Sequence, residues 1–244
     1  MTVHPPWENA ETRPRVDGKI FPAACQPAFD LISPGMVRNI FFSLLVLTSP
    51  LHAAESQPLF NGRDFEGWTF DILDPAVEPA AVWSVSEGVL VCKGRPPGVI
   101  RSVGEFSNYE LSLEWRWAPG AKPGNSGVLI HASKPREMFA WPRSVEVQLG
   151  HGNAGDFWMI GETLAVEKSE AIGRRWLKKG EPREKEPGEW NHVRIRCQGA
   201  KVSVWINGTL MNEGTDLSAT RGAICLQSEG GEVHFRKIEL TALK

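Results

Sequence analysis

The stretch Tyr109-Glu-Leu-Ser-Leu-Glu-Trp-Arg-Trp117 decides the fold class. Read with a period of two, Tyr109, Leu111, Leu113, Trp115 and Trp117 fall on one side, and Glu110, Ser112, Glu114 and Arg116 on the other. That is a strand with one dry face and one wet face, so Trp115 and Trp117 are assigned to packing and to no chemistry. Working outward, short segments of the same kind recur between glycine turns. Val82 to Cys92 folds back near Glu87-Gly88, and Lys201 to Ile206 ends in Asn207-Gly208; Trp190 to Cys197, Ala223 to Glu229 and Val233 to Leu240 complete the set. An Asn61-Gly62 turn sits between the apolar anchors of Pro58 to Trp68. Helical periodicity is nearly absent. Roughly a dozen short strands in about 190 residues predict an all-β protein, two packed antiparallel sheets forming a β-sandwich in a single domain.

Composition narrows the function classes. With 41% hydrophobic and 23% charged residues and a net charge of −2, the chain is an ordinary globule without a basic stripe, which argues against a nucleic-acid partner. Ten Trp stand against one Tyr. Some of those rings belong in the core, but a tryptophan exposed in a groove is a flat surface for gripping a sugar ring. Cys92, Cys197 and Cys225 each lie in an apolar strand, and their odd number leaves buried thiols and one disulfide both open. Without close Cys/His spacing a zinc site is not expected.

The chain before residue 57 reads differently. Residues 1–35 carry Pro5, Pro6, Pro14, Pro22, Pro27 and Pro34 and no apolar period, the composition of a segment that is disordered or not translated. Met36-Val-Arg-Asn, the apolar run Ile40 to Leu47 and the segment ending in Ala53-Ala54 have the three-part form of a signal peptide over 36–54. Its apolar run is short of the roughly 20 residues that span a bilayer, so no stable membrane span is expected. This predicts a secreted or periplasmic bacterial protein with a start at Met36.

Two neighbouring stretches carry the candidate chemistry. In Arg143-Ser-Val-Glu-Val-Gln-Leu-Gly-His-Gly-Asn-Ala-Gly-Asp-Phe-Trp158, Ser144, Glu146 and Gln148 share one face while Val145, Val147 and Leu149 share the other. If Gly124-Asn-Ser-Gly-Val-Leu-Ile-His131 pairs with it, the Asn125 amide, the Glu146 carboxylate and the His131 imidazole converge. His151 lies in a glycine-rich loop, and Asp156 either binds a metal or holds the turn. Gln227 and Glu229 share a strand face. Along the row Glu146, Gln148, Gly150 a second acid is missing, which disfavours hydrolysis by two flanking carboxylates. Between Met159 and Gly188 the pattern weakens, and the mixed-sign run Lys178 to Pro187 reads as a solvated loop.

Taken in order, Leu59-Phe-Asn-Gly-Arg-Asp with Gly67-Trp68, Asn125-Ser-Gly127, Glu146-Val-Gln148, Gly155-Asp-Phe157, Glu189-Trp-Asn191, Asn207-Gly208, Leu226-Gln-Ser-Glu-Gly230 and Phe235-Arg236 resemble the 3-keto-disaccharide hydrolase (3-keto-glucoside hydrolase) domain family over residues 57–243. The resemblance implies a concanavalin-like jelly roll, export, and action on an oxidised saccharide, a glycoside already carrying a ketone at C3. Such a ketone acidifies the C2 proton, so a base can form an enolate and the C1 substituent can leave by elimination, after which water adds back. The expected catalytic set is Glu146 as base or metal ligand, with His131 or His151 as acid or base partner. Asn125, Ser126, Gln148, Asp156, Gln227, Glu229 and Arg236 are expected to bind substrate. A divalent metal for the enolate oxygen is left open. The rival of another class is a non-catalytic carbohydrate-binding module, which would show stacking aromatics and few ionisable groups.

Overall fold

The computed structural model describes residues 55–133 and 135–244. The readings of residues 1–35 and of the 36–54 leader therefore lie outside the described residues. Two antiparallel sheets face each other. The first holds β1 (Ser56–Pro58), β3 (Trp83–Ser86), β4 (Val89–Cys92), β6 (Tyr109–Trp117), β11 (Asn191–Gln198), β12 (Lys201–Ile206), β13 (Thr209–Gly214) and β15 (Val233–Ala242), in the order β13-β12-β11-β6-β15-β4-β3, with β1 added beside β15. The second holds β2 (Trp68–Ile72), β5 (Gly98–Ser102), β7 (Gly127–Ala132), β8 (Ser144–Gln148), β9 (Phe157–Ile160), β10 (Arg175–Trp176) and β14 (Ala223–Ser228), in the order β10-β9-β8-β7-β14-β5-β2.

The alternation in β6 does what its period requires. Tyr109, Leu111, Leu113, Trp115 and Trp117 are buried while the residues between them are half-exposed. They meet Val128, Ile130, Val145, Val147, Leu149 and Phe157 of the opposite sheet in one core. Each large apolar side chain so buried contributes roughly 1.5–3 kcal/mol. Cys92, Cys197 and Cys225 are buried free thiols.

Strand β8 is buried on both faces. Beyond the inter-sheet core, a second cluster of Val99, Leu129, Ala132, Ala140, Trp141, Ile160, Ala223 and Cys225 covers part of the outer face of the seven-stranded sheet. The rest of that face is open and holds the candidate site. Among the described residues no helix is long and apolar enough to cross a membrane.

Candidate functional site

The register of three adjacent strands lays the polar residues out as a grid. Gly127 pairs with Gln148 and Leu129 with Glu146 between β7 and β8, while Cys225 pairs with Leu129 and Leu226 with Val128 between β14 and β7. Beyond the end of β7, Asn125 bridges Glu229. Because paired residues share a face, Glu146, Gln148, Asn125, Gln227 and Glu229 are presented together. Trp158 stands across from Glu146 on β9.

Gly127 shapes the centre of the grid. A Cβ at this position would lie 2.5 Å from Oε1 of Glu146 and 2.8 Å from its Cγ, so the glutamate side chain lies across the glycine. This direction carries it from β8 over β7 toward Gln227 on β14. Glu146 is 5% exposed and Gln227 fully buried, and the two side chains adjoin, yet neither Glu146 Oε1 nor either amide atom of Gln227 makes a well-formed hydrogen bond. The Trp158 indole N–H is likewise unpartnered. Most buried polar atoms in proteins are paired, so unpaired ones gathered beside a pocket are available to water or to a ligand entering it.

That pocket is lined by Asn125, Glu146, Gln148, Glu229, Trp158 and Arg174, and roofed by Met138, Phe139 and Trp141. A second hollow shares Asn125, Gln148 and Trp158 with it and continues over Gly150 to His151 and Arg175. Gln148 accepts the Gly150 N–H at 2.6 Å through Oε1, which turns its amide N–H groups toward the cleft.

Burial comes first among the causes that push the Glu146 carboxyl up to about 8, and the neighbouring Glu229 carboxyl adds to it. Gln227 and the Arg174 charge pull the other way with less effect. Glu229 is also raised, by burial, with the Asn125 amide opposing. The pocket thus holds two carboxyls, neither in an ion pair among the described residues, and burial favours the protonated form of Glu146 at neutral pH.

Several expected site residues stand elsewhere. His131 is on β7, but the register slips there, Cys225 facing Leu129 while Ala223 faces Ala132, so β7 carries one extra residue. His131 takes φ 54°, and its ring turns into the inter-sheet core, edge-on to Tyr109 at 5.6 Å. Its Nδ1 meets the Ala219 carbonyl at 2.8 Å, and burial holds its pKa below the usual histidine value. It is a neutral core histidine, not an acid–base partner. Ser126 also points inward, its hydroxyl donating to the Gln227 carbonyl at 3.0 Å. Arg236 belongs to the opposite sheet, where it donates to Glu114 at 2.6 Å and stacks on Trp190 at 4.0 Å. Asp156 is fully buried and accepts Arg175 Nε and the Lys178 N–H, each at 2.7 Å, so it positions Arg175 rather than touching a ligand. His151 remains at the exposed rim of the second hollow.

Other residues at the site were not singled out by sequence. Met138, Phe139 and Trp141 come from a tight turn in which Met138 and Trp141 bond each other's backbone, and Phe139, 61% exposed, sits at its tip. Arg174 and Arg175 come from the weakly patterned stretch after β9. The Lys178 to Pro187 loop is pinned to the Gly150–Gly155 turn, since Lys178 Nζ donates to the Gly152 carbonyl at 2.6 Å and Glu184 accepts the Ala154 N–H at 3.0 Å. The second acid, missing along β8, is supplied across the sheet by Glu229. Among the described residues no three His, Cys, Asp or Glu side chains gather as a metal site. Glu146 and Glu229 supply two of the three.

A two-sheet jelly roll with carboxyls, amides and tryptophans in one cleft is built like a carbohydrate-active protein. A family model for the 3-keto-alpha-glucoside-1,2-lyase-like domain matches residues 55–241, and the chain belongs to that family, a carbohydrate-active, hydrolase-like class. Among solved structures it is similar to a "putative glycosyl hydrolase" from Parabacteroides distasonis, at 26% identity and TM-score 0.57, covering 78% of this chain and 100% of that one. It shares its fold with the carbohydrate-binding module CBM66 of Bacillus subtilis, at 11% identity and TM-score 0.52, covering 72% and 96%. It also shares the fold of the beta-glucanase of Bacillus licheniformis, at 11% identity and TM-score 0.51, covering 80% and 100%. Among curated proteins none matches the chain.

Proposed function

We propose that this protein cleaves the glycosidic bond of sugars already oxidised to a ketone at C3, by removing the C2 proton, expelling the C1 substituent and adding water to the resulting enone. The observation that carries this reading is the pair of carboxyls, Glu146 and Glu229, set in one pocket beside the unpaired Gln227 amide within the matched domain. Elimination next to a ketone needs one group to take a proton from carbon, one to give a proton to the departing oxygen, and donors for the enolate oxygen. The carboxyl pair meets the first two needs, and the amides of Asn125 and Gln148 meet the third. The roof of Phe139 and Trp141 and the wall of Trp158 offer flat faces to a sugar ring. We further read the segment starting at Met36 as an export signal, so the exported chain is expected to begin near Ala54 or Glu55 by intact mass, and an exported chain that keeps residues 1–35 would contradict it.

The test is a pair of substrates. A disaccharide oxidised at C3 is expected to be cleaved and its unoxidised parent left intact. Equal cleavage of both would replace the keto-dependent reading with hydrolysis by the two carboxyls, which Glu229 makes chemically feasible. The aromatic roof favours one further reading, a binding module, for which both sugars would bind and neither would be cleaved.

A further inference from the structure

The cleft places its two carboxyls differently. Glu146 is pressed across Gly127 beside Gln227, in a buried spot faced by Glu229 from just beyond β14, Trp158 from β9 and Arg174 from the stretch before β10. Glu229 lies just past the end of β14, partly exposed, beside Asn125 at the cleft wall. His151 and Arg175 line the second hollow. When two carboxyls share one proton, the more buried, uncompensated site holds it and the wetter one ionises.

We infer, resting on the function proposed above, that Glu229 is the base that takes the C2 proton and Glu146 the acid that protonates the departing C1 oxygen. Glu229 removes the proton from C2, and the electron pair of that C–H bond forms the enolate with the C3 ketone. The enolate collapses to a C1=C2 double bond, the C1–O bond breaks, and the Glu146 proton goes to the leaving oxygen. Glu146, now ionised, takes a proton from the water that adds at C1, while Glu229 returns its proton to C2. Both carboxyls end as they began, and no external oxidant or reductant is consumed.

The two half-reactions can be read apart. Exchange of the C2 hydrogen of a free 3-keto monosaccharide in deuterated water needs only the base, whereas release of an alcohol from a 3-keto disaccharide needs the acid as well. Glu229→Gln is expected to lower both the exchange and the cleavage by about 10²–10⁴-fold. Glu146→Gln is expected to lower cleavage by a similar factor while exchange stays within about tenfold of the wild type. Gly127→Ala, whose new Cβ would sit 2.5 Å from Glu146 Oε1, should repeat the Glu146→Gln pattern without touching either carboxyl chemically. Exchange lost in Glu146→Gln but kept in Glu229→Gln, in folded proteins with an active wild type, would overturn the assignment alone. A wild type that cleaves the keto sugar yet catalyses no C2 exchange would overturn the assignment, and one that cleaves neither sugar would remove the functional reading beneath it.

Discussion

The outer face of the eight-stranded sheet and the cleft on the seven-stranded sheet carry similar residues and use them in opposite ways. On the eight-stranded sheet, Glu114 meets Arg236 at 2.6 Å and Lys237 at 2.9 Å. Trp190 lies between the guanidinium groups of Arg116 and Arg236, at 4.5 and 4.0 Å, and Arg194 covers Trp205 at 3.8 Å. The hydrogen bonds and charges of the two cations outweigh partial burial and hold the Glu114 carboxyl below its usual range. In the cleft of the seven-stranded sheet, Glu146 and Glu229 have no cation bonded to them among the described residues, both are raised, and Trp158 keeps an unpaired N–H. The glutamate of the paired face has its cations, and those of the cleft do not. Charge number does not mark a site here, whereas carboxyls left without a cation beside an open pocket do.

The comparison can be broken first where the expected effect is largest. Glu146→Gln should lower cleavage of a 3-keto disaccharide by about 10²–10⁴-fold with the fold intact. The same substitution should stabilise the protein in alkaline solution. A carboxyl whose pKa rises from 4.5 to about 8 on folding supports the folded state fully below pH 4.5 and loses that support as pH climbs to 8, so above pH 8 the wild type carries a cost of a few kcal/mol at most that glutamine does not. A variant that is inactive and also melts earlier at pH 9 would make Glu146 structural instead. The smaller effect belongs to the paired face. Glu114→Gln should leave cleavage unchanged and cost about 1 kcal/mol or less in a urea titration at pH 7, since Lys237 is exposed and Arg236 keeps its stacking on Trp190. A large loss of activity there would mean that pairing is a poor guide to role.

Much of this was legible in the sequence because period two is a strong signal. The alternations of β6 and β8 fixed which side chains enter the core and which make the polar row, and the sandwich followed from their number and spacing. What escaped was set by events of a single residue or by contacts between distant segments. One extra residue in β7 rotates His131 from the face it was assigned to into the core. Arg236 alternates correctly along its strand, but sequence does not say to which sheet β15 belongs, and it belongs to the other one. Glu229 was recognised as part of the polar surface; its place as second acid beside Glu146 depends on β14 lying next to β7, a long-range pairing that no local pattern encodes. Arg174 and Phe139 come from stretches without periodicity, where tertiary contacts alone decide what faces the cleft.

The most direct test of the unpaired site is a carboxyl titration by carbon-13 NMR on glutamate-labelled protein, with Glu146→Gln to assign the signal. One side-chain carboxyl is expected to titrate near 8, well clear of the paired glutamates, and to vanish in the variant. If every glutamate carboxyl instead titrates at or below its ordinary value of 4.5, Glu146 holds no proton at neutral pH and the contrast between the two faces fails.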